Sequence, residues 1–126
     1  MDEIKNIVND LGIAALEANT KIASVAVISD SGDLIFQTEN WDLTHHTTNI
    51  LNIIKGESSI ILNNIEFSVV DSNPEGIIGT NDGGMGHILF APFQGGILVS
   101  YVMPGGDPTR ALSFLGTFTL RLNGKV

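Results

Sequence analysis

A chain of 126 residues with 14 acidic and six basic side chains carries a formal charge of −8, so its field repels nucleic-acid backbones and anionic membrane surfaces. It has no cysteine, which removes disulfides, thiolate metal sites and cysteine nucleophiles together and fits a reducing cytoplasm. The length suits one domain, residues 1–126, and no apolar run approaches the ~20 residues that span a bilayer. The first residues lack the basic and apolar regions of a signal peptide.

In chain order, Asp2 can cap a first helix in which Ile4, Ile7, Val8 and Leu11 recur at the spacing of one buried face. Gly12 weakens its middle, Ala15 and Leu16 continue it, and Asn19 suits a left-handed stop. Residues 22–29 read as a strand, Asp30 to Asp33 as a turn, and residues 34–38 as the hairpin partner, with Leu34 and Phe36 on one side of the pleat. A second helix follows, capped by Asp42 or Thr44, with Leu43, Ile50, Leu51 and Ile54 on its buried face and a stop at Lys55-Gly56.

From Ser59 to Met103 the chain reads as an antiparallel meander of short β-branched and aromatic runs. Asn63-Asn64 can supply the two positive φ angles of a tight hairpin turn, while Asn73 to Gly76 and Gln94 to Gly96 punctuate later connections. The connection from Asn81 to Gly86 holds three glycines, which predicts mobility and exposed backbone amides. Asp107-Pro108 then starts a third helix with a capping oxygen followed by a proline where no amide hydrogen is needed. Ala111, Phe114, Leu115, Phe118 and Leu122 form its stripe, and Gly116 would permit a close approach to the sheet. Thr117 to Leu122 alternates as a strand would, but nothing breaks the chain between Pro108 and Asn123. The order predicts an α+β fold: a central antiparallel sheet flanked by helices that cover its apolar faces.

Chemistry-bearing residues are sparse. His45 and His46, if helical, point about 100° apart and lack a third ligand, so no metal site is expected. His87 follows the glycine loop without a serine elbow or an acidic orienter. The loop itself has too few oxygen ligands for calcium and neither a basic residue nor a following helix for phosphate. Trp41 reads as a core-edge aromatic. No catalytic constellation and no cofactor motif is present, which leaves an enzyme as a distant third reading.

The arrangement resembles the profilin family, small proteins that bind actin monomers. Residues 24–38 are similar to its first hairpin and residues 62–70 to its next. Pro74 to Gly79, Gly84 to Ile88, Gly96 to Val99 and the helix opened by Pro108 follow the family's order of glycine-punctuated strands. The glycine loop looks longer than in most profilins, the first helix lacks their aromatic residues, and the divergence resembles archaeal profilins of the Asgard group. The resemblance implies that the two terminal helices lie on the same face of the sheet. It also implies a cytoplasmic, cytoskeletal, monomeric protein that contacts actin or an actin-like monomer through Thr80, Asn81, His87, Asp107, Arg110 and Ser113. Arg110 stands in the first turn of a helix, where a cation is disfavoured, and so reads as a partner contact. Scattered basic residues predict weak or absent phosphoinositide binding, and a first helix without aromatic residues predicts weak or absent polyproline binding. The competing class is a roadblock or longin scaffold for small GTPases, which places three strands after its middle helix where this chain shows four or five.

Overall fold

The computed structural model describes residues 2–38 and 41–126, with Asp2 described by its backbone alone. The elements are α1 (Asp2–Glu17), β1 (Ile22–Ser29), β2 (Leu34–Gln37), α2 (Thr47–Ile54), β3 (Ser59–Leu62), β4 (Ile65–Asn73), β5 (Gly76–Thr80), β6 (His87–Phe93), β7 (Gly96–Val102) and α3 (Pro108–Leu122). All seven strands join one antiparallel sheet in the order β2-β1-β7-β6-β5-β4-β3. Neighbouring strands are consecutive in the chain except for β1 against β7, a pairing that joins the first hairpin to the meander and leaves β2 and β3 at opposite edges.

The near-continuous apolar runs of β1, β6 and β7 are buried on both faces, and the pleat sends alternate residues to opposite sides. Val25, Val27, Leu89, Ala91 and Leu98 pack with Ile4, Ile7, Val8 and Leu11 of α1 and with Ala111, Leu112 and Leu115 of α3. Ala26, Ile28, Ile88, Phe90, Ile97 and Val99 pack with Leu43, Ile50 and Ile53 on the other face. The terminal helices therefore share one face, as expected. Along their seam Arg121 meets Asp10 at 2.8 Å and Lys125 meets Glu3 at 3.0 Å, which sets α1 and α3 antiparallel. Such exposed pairs contribute only about 0–1 kcal/mol each, so apolar burial holds the helices.

Several local expectations hold. Asn63 and Asn64 take φ of 50° and 69°, and Asn19, beyond the end of α1, takes 54°. The Asp107 carboxylate caps α3 by accepting from the Thr109 amide at 3.0 Å and the Arg110 amide at 3.2 Å. Residues 117–122 are helical. The cap expected from the Asp2 side chain lies outside the described residues.

Others need correction. The N-cap of α2 is His46, which makes no side-chain capping bond. Asp42 instead closes a turn, accepting from the Thr44 hydroxyl at 2.7 Å and its amide at 3.0 Å, and the hydroxyl bond first holds this carboxyl below its usual range. Leu43 is buried but lies before the helix, so it does not share a helical face with the rest; α2 turns Ile50 and Ile53 to the core, leaves Ile54 exposed and buries Leu51 only in part. Leu16, which falls outside the buried stripe of α1, is 81% exposed. Leu34 and Phe36 face opposite sides because the β1–β2 register shifts between Val27 and Ile28: Phe36 pairs with Val27 and Leu34 with Ile28. Phe114 is only partly buried and Leu112 takes its place in the core. A Cβ at Gly116 would meet nothing within 4 Å, so this residue makes no close approach to the sheet.

Leu115→Ala should lower unfolding free energy by about 2–5 kcal/mol, whereas Leu16→Ala should change it by no more than about 0.5 kcal/mol. Urea denaturation of both variants checks the assignment, and similar losses would place the core wrongly.

Candidate functional site

On the terminal-helix face, α1 packs on β1, and α3 packs on β6, β5 and β7. Residues paired across strands share a face, so Ile78 opposite Leu89 marks the α3 side of β5 and β6. Two residues on, Thr80 pairs with His87 on the same side, and the row continues as Ser59, Ser68, Thr80, His87 and Val102. Ile61 and Glu66 form the neighbouring pair on this side of β3 and β4. Ile61 is 56% exposed. Val70 is 62% exposed, at a bulge where the β4–β5 register shifts between Val69 and Asp71. The result is an open sheet face beside the N-terminus of α3.

Of the six residues expected from sequence, the structure brings Thr80, Asn81, His87 and Asp107 together at this face, whereas Ser113 bonds to the β4–β5 turn and Arg110 reaches the other way, to the end of α1. Thr80 Oγ1 and His87 Nδ1 are 2.9 Å apart. Burial pushes the half-buried His87 imidazole below its ordinary pKa, and the negative charge of Asp107 opposes the shift. Thr80, His87 and Asp107 thus form one polar cluster where the sheet meets α3. Ser113 donates to Glu75 Oε2 at 2.9 Å and ties α3 to the β4–β5 turn.

Asn81 organises the glycine loop. Its Nδ2 donates to the Glu66 carbonyl at 2.8 Å, and its Oδ1 accepts from the Gly83 and Met85 amides at 2.9 and 3.0 Å. The Asn81 amide donates to the Gly86 carbonyl and the Gly84 amide to the Asn81 carbonyl. The Gly83, Gly84 and Met85 amides, predicted to be exposed, are therefore used inside the loop. Tyr101 Oη donates to the Met85 carbonyl at 2.6 Å, and a Cβ at Gly86 would lie 2.9 Å from that hydroxyl and 2.4 Å from the Val102 carbonyl, so only glycine fits there.

Arg110 has a use that its position in sequence conceals. Its Nη2 donates at 2.9 Å to the carbonyl of Ala18, just past the end of α1, where helix carbonyls lack internal partners and a cation is favoured. It is exposed, and the other guanidinium donors stay available to a partner. Ile61, Glu66, Ser68, Val70 and Asp71 were not singled out from sequence. Their place on this face depends on register and on the bulge at Val70, with Ser68 half-buried and the other four exposed. Among the described residues no three His, Cys, Asp or Glu side chains converge to hold a metal ion.

No family model matches the chain. It is 39% identical over 92 residues to Odin profilin of Odinarchaeota yellowstonii, covering 71% of this chain and 76% of that protein. To Loki profilin-2 of Lokiarchaeum it is 30% identical over 118 residues, covering 85% of each. Its structure matches LokiProfilin1, from a crystal structure of that protein's complex with rabbit actin, with a TM-score of 0.88 and 26% identity over 100% of this chain and 98% of the other. Profilin IB of Acanthamoeba castellanii shares the fold, with a TM-score of 0.71 and 12% identity over 86% and 90%. The seven-stranded sheet with paired terminal helices is the profilin fold, and the chain belongs to the profilin family. Five strands follow α2, which also separates it from the roadblock arrangement.

His87 supplies a test of this geometry. Its folded pKa is depressed, so below the unfolded value of about 6.5 the unfolded chain binds the proton more readily and folding stability falls. The melting temperature of the native chain should therefore drop more steeply between about pH 7.5 and 5.5 than that of His87→Asn. Parallel curves would mean that burial does not disfavour the charged imidazole.

Proposed function

We propose that this profilin binds monomeric actin, or an actin-like protein of its host, in the cytoplasm, and acts as a monomer. The binding surface is the open β3–β5 face together with the N-terminus of α3. The observation that carries this reading is the exposed apolar pair Ile61 and Val70 set among Glu66, Asp71, Thr80, Asn81, His87, Asp107, Arg110 and Ser113, an apolar centre with a polar rim. Support comes from LokiProfilin1 and LokiProfilin2, each aligned with this chain over its whole length and each crystallised in complex with rabbit actin. Acidic groups outnumber Arg110 around the face, which favours a basic contact patch on the partner and salt-sensitive association.

The helix seam supports weak or absent recognition of proline-rich and phosphoinositide ligands. Residues 2–17 include no aromatic residue, and Phe118 is buried beneath Arg121, whose guanidinium carbon lies 5.6 Å from the ring centre. Arg110, Arg121 and Lys125 gather along this seam, but the latter two are paired with carboxylates. Among the described residues no helix is long and apolar enough to cross a membrane.

Titration of monomeric rabbit actin tests the face. Val70→Lys should weaken binding by about tenfold or more, and Arg110→Glu should also weaken it, while Leu120→Lys, an exposed residue on α3, should not. Arg110→Glu should cost about 0.5–1.5 kcal/mol of stability as well, through the lost Ala18 bond. Equal affinity in Val70→Lys and the native chain, with an unchanged melt, would reject the face. Decaproline should bind no tighter than the millimolar range, and saturation at tens of micromolar with amide shifts on the terminal helices would overturn the second expectation.

A further inference from the structure

The other side of the sheet carries a feature that actin binding does not require. A cleft of about 450 Å³ opens there between the β3–β4 hairpin and the end of β7. Trp41, Phe67 and Tyr101 form its aromatic walls, with Leu62, Ile65 and Met103 between them. We propose that this cleft is a binding site for an uncharged, flat aromatic molecule of one or two fused rings.

Size, charge and rigidity all favour that class. The volume falls in the range of about 300–1,000 Å³ that small-molecule sites occupy. Among the described residues none that lines the cleft is charged, so an ionised ligand would lose hydration without gaining a counter-charge from them. The walls are held in place: Phe67 and Tyr101 meet edge-to-face with ring centres 6.4 Å apart and planes at 68°, and the Tyr101 hydroxyl is bound to the Met85 carbonyl. Phe67 is almost wholly buried, whereas Trp41 and Tyr101 are half-buried, which leaves ring surface on the cleft side for stacking. Met103, exposed at the rim, is a flexible thioether able to close over a ring. Ser24 and Asn63 also line the cleft and offer the polar contacts that orient such a ligand.

Indole is a suitable probe, followed by amide shifts of the whole chain in solution. Saturable shifts are expected at Ser24, Leu62, Asn63 and Met103, and also at Met85, because Tyr101 connects the cleft to that loop. Indole-3-acetate should bind about tenfold more weakly. Ile65→Lys, which places a charge in the wall, should abolish saturation, and Met103→Asp at the exposed rim serves if the first variant fails to fold. Leu16→Lys, on the far helix, should leave indole binding unchanged. Non-saturating shifts up to the solubility limit, shifts centred on α1, equal binding of the anion, or binding unaltered in the folded cleft variants would each overturn the proposal. None of these readouts depends on actin binding.

Discussion

Burial of β1, β6 and β7 on both faces is the constraint from which the rest of the architecture follows. Ala26, Val27, Leu98, Val99, Leu89 and Phe90 are all fully buried and lie on neighbouring strands with alternating orientation. Exposing either side would lose roughly 1.5–3 kcal/mol per large side chain, so both must be covered. Two long helices meet that need on one face, and α2 with the segment around Leu43 meets it on the other. Each helix has a finite width. Where α3 stops, the sheet goes on through β4 and β3, and the uncovered part is the surface available for a partner.

The start of α3 joins this surface to the core. Asp107 caps the helix, influences His87 through its charge and stands at the edge of the open face. Nearly two turns further on, Ser113 reaches Glu75 in the β4–β5 turn, while Arg110 reaches across to α1. Residues assigned to binding therefore also fix the angle at which the helix meets the sheet. A substitution among them acts on position as well as on contact, whereas Ile61 and Val70 lie outside this network.

Much of the fold was legible because period and punctuation agreed. The α1 stripe, the Asn63-Asn64 turn, the Asp107-Pro108 start and the five-strand run each carry a local cause that tertiary packing did not override. What was not legible depended on phase. A register shift beside β2 separates Leu34 from Phe36, a second lies at the exposed Val70, and the packing of α2 on the sheet buries Ile53 in place of Ile54. Neither shift leaves a glycine or proline signature in the bulged segment. The glycine loop misled for a different reason: its composition suggested open amides, but one asparagine side chain accepts two of them. Arg110 was placed near the site, yet its partner lies 92 positions away, beyond any local pattern.

The contact between Glu3 and Lys125 has a practical consequence for handling the molecule. It sets Glu3, in the first turn of α1, beside Lys125, at the opposite end of α3 from Asp107. The helix between is 15 residues long, so about 22 Å separates that point from the open face. A fluorophore or a surface linker attached at position 3 or 125 would leave from the same corner, well away from the open face.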